Sequence, residues 1–345
     1  MRDDGAARWT GEAFAARLAA LTGARGARVL GCERLAGGAI QQNFRLRVAL
    51  DGGPWSAASD LVLRTDAPSA VAASRPRGDE FALLEAAAAA GVIVPPPVGF
   101  DPGDATCPPF MLVGFVAGEA SGRRLTREAG NGRPDLLAAI GANLARLHAI
   151  RPPQARLACL GASPAHPTRD LVAAYRASIE GWRTLTHDAR PVLEWTLRWL
   201  ELHAPATQSV VLVHRDYRVG NLLVDDDRLA ATLDWEFAGW GDPREDLGWF
   251  CAPCWRFARS DREAGGLGDI ADLLRGYNTT AGTAYTREDL AYWQVLAQLR
   301  WAVIALQQTQ RFLDAGERSL ELALTGRMLP ELEWQMLALT GDSLA

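Results

Sequence analysis

The chain has 345 residues and not one lysine: all 36 of its basic residues are arginine. A compositional bias is the plain explanation, and the consequence is chemical, because any site that ordinarily uses an ammonium must here use a planar guanidinium. Cysteine is scarce as well. Five residues, Cys32, Cys107, Cys159, Cys251 and Cys254, are odd in number and scattered, which excludes a disulfide framework and fits a reducing compartment. The single C-x-x-C, Cys251 to Cys254, has no second pair and no neighbouring histidine, so zinc is not expected and both thiols read as small apolar packing residues. No apolar run reaches membrane-spanning length, and the first residues carry no signal-type core. We expect a cytoplasmic protein with no membrane partner. A net charge of −5 and a pI near 5.6 remove the electrostatic case for a nucleic-acid partner. What remains, 48% apolar and 22% charged residues, describes an ordinary globular chain long enough for one large domain or two lobes.

The most informative stretch is residues 210–236, VVLVHRDYRVGNLLVDDDRLAATLDWE. A short apolar strand over 210–213 stops at His214, Arg215 and Asp216, and two further β runs, 222–224 and 229–233, flank the turn-prone Asp225, Asp226 and Asp227 as a hairpin. His214, Asp216, Asn221 and Asp234 therefore fall at strand ends, where a sheet fixes their spacing. Phosphoryl transfer needs this set: a base for an alcohol and oxygen donors for a divalent cation that bridges phosphates. The H-R-D-x-x-x-x-N spacing is that of a kinase catalytic loop, with Asp216 as base, Asn221 and Asp234 as magnesium ligands, and Asp234-Trp235-Glu236 in place of D-F-G. Taken singly, His214 reads as a core histidine and Asp234 as a turn residue. The joint spacing favours the catalytic reading.

On these residues, and on Gly241-Asp242-Pro243-Arg244-Glu245-Asp246-Leu247-Gly248, the chain resembles the aminoglycoside phosphotransferase-like, kinase-fold small-molecule kinases. It is similar, more narrowly, to the branch associated with acyl-CoA dehydrogenases in the wording of HRDYRVGNLL, DWEFAGWGDPREDLGW and SLELALTGRMLPELE. The resemblance implies an α+β, bilobal protein-kinase-like fold. Its smaller lobe, residues 1–113, would be an antiparallel sheet with one main helix that binds nucleotide, and its larger lobe, residues 114–345, would be mostly helical and catalytic.

In chain order, a helix over 11–21 ends at Gly23, and β runs at 27–35 and 43–50 flank a glycine turn. Gly37 and Gly38 there let backbone N–H groups approach phosphate oxygens. The next strand, 59–64, ends in Arg64, where the kinase pattern places a phosphate-holding lysine, and Glu80 at the head of a helix over 80–90 is its expected partner. The apolar run into Gly114, Phe115 and Val116 reads as the segment joining the lobes, with backbone groups for the adenine edge. Helices are expected over 134–148, 170–182, 191–203, 268–277, 287–312 and 319–339, with His148 as a structural hydrogen-bonder. Arg218 is a further catalytic candidate, as the alternative phosphate anchor. Asp242 and Asp246 are expected to brace the catalytic loop, and Glu236, Trp240, Trp255, Arg256 and Tyr277 to wall the acceptor pocket.

The substrates expected are ATP, GTP remaining open, with Mg²⁺, and a small-molecule alcohol that is aminoglycoside-like, choline-like or hydroxy-acyl. A catalytically silent nucleotide-binding protein is the alternative from another class. A protein kinase fits less well, since only residues 235–242 separate Asp234 from Pro243 and no A-P-E segment follows.

Overall fold

A computed structural model describes residues 4–35, 41–57, 60–66, 75–257, 259–314 and 319–341. Five strands form one antiparallel sheet in the order β1-β2-β3-β5-β4: β1 (Ala27–Arg34), β2 (Gln41–Leu50), β3 (Asp60–Asp66), β4 (Pro97–Asp101) and β5 (Phe110–Gly114). Alternation explains its two faces. Phe44, Leu46 and Val48 of β2, Leu61 and Leu63 of β3, and Phe110 and Leu112 of β5 form one core with Trp9, Phe14 and Leu18. Phe14 and Leu18 lie on α2 (Glu12–Thr22), which follows the short α1 (Asp4–Ala7) and ends at Gly23 in the left-handed conformation. The opposite face meets α3 (Arg77–Ala89), whose Leu83, Leu84 and Ala87 join Val113 in a second core. Register sets Arg64 of β3 opposite Asn43 and Met111, in the middle of the sheet.

That second core does not stop at the sheet. It runs on through Leu136, Leu137, Ile140, Leu144 and Leu147 of α5 (Pro134–Leu147), which follows α4 (Gly122–Glu128), and into Tyr217, Leu222, Trp235 and Leu247. The α3-to-β4 connection is bonded to this region directly, since Ile93 N–H donates to Asn143 Oδ1 at 2.7 Å and Thr232 N–H donates to Ile93 O at 2.9 Å. A separate helical core lies against it, built by α6 (Pro167–Thr186), α7 (Pro191–Leu202), and later α10 (Ala291–Asp314) and α12 (Leu329–Gly341). Between these groups run β6 (Val211–Val213), β7 (Leu222–Asp225), β8 (Arg228–Thr232), β9 (Gly239–Gly241), α8 (Arg244–Cys251) and α9 (Ile270–Ala281). β7 and β8 form the expected hairpin, and β6 pairs with β9.

Two helix expectations change. The 319–339 helix is two helices, α11 (Leu320–Gly326) and α12, because Pro330 lacks an N–H for a continuing helix and Gly326 lies where a side chain would meet Thr309 of α10. The 287–312 helix opens as a 3₁₀ turn, Glu288–Leu290, before α10 begins. Gly37 and Gly38 lie outside the described residues.

α5 and α9 cross without side chains between their backbones: a Cβ at Gly276 would lie 1.8 Å from Ala138 O, and one at Gly141 would lie 2.1 Å from Leu273 O. Gly276→Ala should therefore lower stability by about 2 kcal/mol or more through overpacking. Gly181 in α6, with nothing within 4 Å of its Cβ position, is the control; Gly181→Ala should stabilise by about 0.5–1 kcal/mol. Denaturant midpoints measure both, and equal effects would contradict the close crossing.

Candidate active site

β6 delivers the chain to His214 and Arg215, and Asp246 of α8 holds that turn. The Asp246 carboxylate accepts from His214 N–H at 2.6 Å and Arg215 N–H at 2.7 Å, and His148 Nε2–H donates to it at 3.1 Å. Burial alone would raise this carboxyl; the bond and charge of His148 with the loop N–H groups outweigh it and hold Asp246 below the usual carboxylate range. His148 is itself oriented by Tyr277, whose hydroxyl is 2.9 Å from Nδ1. Arg215 has a φ of 64°, a strained conformation for a non-glycine residue, and its guanidinium is tied to Trp240 O at 2.9 Å and lies 3.3 Å from Glu245.

Further along, His214 is fully buried. Its Nε2–H donates to Leu233 O at 2.9 Å and its Nδ1 accepts from Asp216 N–H at 3.2 Å, so both ring nitrogens are used by the neutral imidazole. Burial pushes its pKa down against the pull of Asp246 and Asp216, in agreement with that tautomer. Asp216 is the meeting point of three donors. Arg218 Nε lies 3.2 Å from both carboxylate oxygens, Asn221 Nδ2 is 2.5 Å from Oδ2, and Trp249 Nε1 is 3.1 Å from Oδ1. Asn221 also donates to Asp216 O at 2.9 Å, so its amide nitrogen is committed to the loop and its Oδ1 takes no hydrogen bond among the described residues.

Asp234, with a φ of 60°, sits at the turn after β8 and is 38% exposed at its side chain. Its Oδ1 accepts from Arg64 at 2.6 Å. Arg64 lies 3.2 Å from Glu80 of α3 and also donates to Gln41 Oε1. Burial disfavours the Arg64 charge, yet Glu80 and Asp234 more than compensate and raise its pKa. Glu80 additionally accepts from Arg77, which reaches Asp66 at 2.8 Å.

The expected groups thus fall in two clusters: Asp216, Arg218 and Asn221 around the loop, and Arg64, Glu80 and Asp234 across the β3–α3 face. Some residues do not stand where the sequence implied. Tyr277 is 2% exposed in the core and bonded to His148, so it walls no pocket. Trp240 is buried on β9 and contributes its carbonyl to Arg215. Glu236 points to the sheet, accepting from Gln41 Nε2 at 3.1 Å, and Arg256 is held by Cys251 O at 3.0 Å and by Glu263. Trp255 lies under Arg218, with the guanidinium 4.7 Å from its ring. Asp242 pairs with Arg244 at 2.7 Å, leaving Asp246 as the brace. Gly114 N–H is bonded to Pro96 O at 2.8 Å and Phe115 N–H reaches Asp60 O at 3.4 Å, so the joining segment's remaining N–H for a base edge is that of Val116 onward. Arg77, Gln41 and Trp249 escaped sequence reasoning. Arg77 had a signal, three residues before Glu80 on one helix turn; Gln41 had none.

An antiparallel sheet joined through β5 to a helical lobe, with an H-R-D loop and a hairpin-borne aspartate, defines a kinase-like phosphotransferase fold. The chain belongs to the phosphotransferase enzyme family, whose model matches residues 31–288. In structure it is similar to a Ralstonia eutropha protein assigned to the aminoglycoside phosphotransferases, at a TM-score of 0.69 and 20% identity over 90% of this chain and 92% of that one. It is also similar to a choline/ethanolamine kinase family protein from Mesorhizobium loti, at a TM-score of 0.59 and 20% identity over 95% and 93% of the two chains. Mouse acyl-CoA dehydrogenase family member 10 is 29% identical over 205 residues, 55% of this chain and 18% of that protein. The chain therefore spans under a fifth of that relative's length.

Asp246→Asn should cost about 3 kcal/mol, because the amide presents N–H to an N–H and leaves His148 without its charged acceptor. With its folded pKa below the unfolded one, the stability that Asp246 contributes is present above the ordinary carboxyl pKa and is lost as pH falls through the lowered value. Urea unfolding of both proteins should show a gap at pH 7 that narrows below about pH 4.

Proposed function

We propose that this chain moves the γ-phosphoryl group of ATP, GTP remaining open, to a hydroxyl of a small molecule. The observation that carries the proposal is the commitment of the Asn221 amide nitrogen to Asp216, which leaves the Asn221 oxygen and the second oxygen of Asp234 without donors among the described residues. One amide oxygen and one carboxylate suit magnesium, which takes the rest of its ligands from water and phosphates. A magnesium ion held by these two residues would supply neutralisation of charge on the phosphates. In this reading Asp216 accepts the acceptor's proton, with its orientation fixed by Asn221 and Arg218. Arg64, oriented by Glu80 and Gln41, holds the α- and β-phosphates with a fork whose charge is permanent. Gly37 and Gly38, which lie outside the described residues, are assigned to the phosphates by their place in the sequence alone, and the chain from Gly114 through Phe115 to Val116 meets the base. The lobes are residues 1–113 and 114–345, and the protein works in the cytoplasm. The acceptor is aminoglycoside-like, choline-like or hydroxy-acyl; Trp255 lines its side of the site. Positioning and charge neutralisation are most of what such a site contributes.

ADP release from Mg-ATP across a panel of hydroxylated metabolites identifies the acceptor. On it, Asp216→Asn should reduce turnover by ~10²–10⁴-fold with the nucleotide dissociation constant little changed; turnover within about threefold of wild type would remove Asp216 as base. Asp234→Ala should weaken Mg-ATP binding far more than binding of metal-free nucleotide, and calorimetry with and without magnesium reads the difference. Arg64→Lys should keep partial activity with a raised KM for ATP, since charge survives and the two-pronged contact does not. An unchanged KM would move the phosphate anchor elsewhere.

A further inference from the structure

We infer that Trp249 is a positioning residue for the Asp216 carboxylate, acting through its indole N–H; the inference rests on the reading of Asp216 as the base. Trp249 and Asp246 are three residues apart on α8 and so share a face. From that face Asp246 grips the loop backbone at His214 and Arg215, and Trp249 grips the Asp216 side chain at 3.1 Å. One short helix fixes both the loop and the carboxylate it carries.

The indole is 2% exposed, and its N–H is its only polar group. Among the described residues the indole nitrogens of Trp182, Trp199, Trp240, Trp255, Trp293 and Trp301 are buried without a hydrogen-bond partner, whereas that of Trp249 meets Asp216. The ring itself is clamped. The Arg300 guanidinium lies 4.5 Å over it, and Trp255 packs edge-on at 5.2 Å and 65°. Trp255 in turn carries the Arg218 guanidinium at 4.7 Å, and Arg218 Nε returns to both Asp216 oxygens at 3.2 Å. Asp216, Trp249, Trp255 and Arg218 thus form a closed circuit of four side chains. Asn221 supplies a third donor, to Asp216 Oδ2, through the loop's own turn. Three donors, two from the loop itself and one from α8, leave the carboxylate little rotational freedom, and alignment of a base with its proton is worth large factors in rate.

Trp249→Phe keeps the ring beneath Arg300 and beside Trp255 and removes only the donor. With Mg-ATP and the acceptor chosen by the ADP-release panel, kcat should fall about tenfold, the size of one hydrogen bond to a charged group, while KM for Mg-ATP changes by less than about twofold. Trp249→His, which restores a ring N–H, should recover part of the loss. In an Asp216→Asn background Trp249→Phe should have no further effect on residual turnover. A wild-type kcat in Trp249→Phe, or the same loss in both backgrounds, overturns the inference and leaves Trp249 as packing. A readout that needs no acceptor and no Trp249 variant is the indole N–H resonance of Trp249: Asp216→Ala should shift it and speed its exchange with solvent, and an unmoved resonance overturns the contact. If Asp216→Asn retains turnover, the reading of Asp216 as base fails on its own, separately from the contact.

Discussion

A buried carboxylate costs several kcal/mol unless hydrogen bonds replace its water, and Asp246 meets that condition by taking two backbone N–H groups from the H-R-D turn and one from His148. The exchange works in both directions. The turn at Arg215 is held in a left-handed conformation that a free loop would leave, and the carboxylate is held below the usual carboxylate range in the core because His148 first, and then the turn, offset the cost of burial. His148 ends α5 and Tyr277 lies on α9, so this closely packed helix pair is tied to the H-R-D loop through a single acid. The glycines at that helix crossing serve the same end, since a wider spacing would separate Tyr277 from His148.

The second polar assembly lies where α3 meets the sheet. Arg64, Arg77, Glu80 and Glu236 are all buried, and Gln41 bridges Arg64 to Glu236. Two guanidiniums on one carboxylate is a geometry that arginine tolerates, because each planar fork donates along fixed directions and remains charged when desolvated. A chain without lysine has thus placed its basic group in the middle strand with Gln41, Glu80 and Asp234 as acceptors around it. Asp234 draws the turn after β8 toward the same arginine, so the sheet and the hairpin are joined by an ion pair as well as by the apolar core.

Membership in the phosphotransferase family and the likeness of fold to proteins at 20% identity describe the frame. Within it, Trp249, Trp255 and Trp301 form an aromatic layer beside Asp216, packed edge-on and tilted, with the Arg300 guanidinium over Trp249 and the Arg218 guanidinium over Trp255.

Local spacing was enough to recognise the H-R-D loop, the hairpin, the acidic turn, α5 with its apolar stripe, and the pairing of Arg64 with Glu80, because each depends on residues near one another in sequence or on a fixed pattern of strand and helix. The sequence by itself also determined that every basic contact would be a guanidinium. Tertiary structure decided the rest. Tyr277 carries the same polar and aromatic character in a pocket wall or in a core, and only the crossing of α5 and α9 turned its hydroxyl to His148. Glu236 follows the Asp234 turn yet faces Gln41, 195 residues earlier, and Trp249 reaches Asp216 across 33 residues. Such contacts join segments whose separation in sequence sets no distance between them; packing of the apolar faces brings them together, and the direction of each side chain follows from that packing.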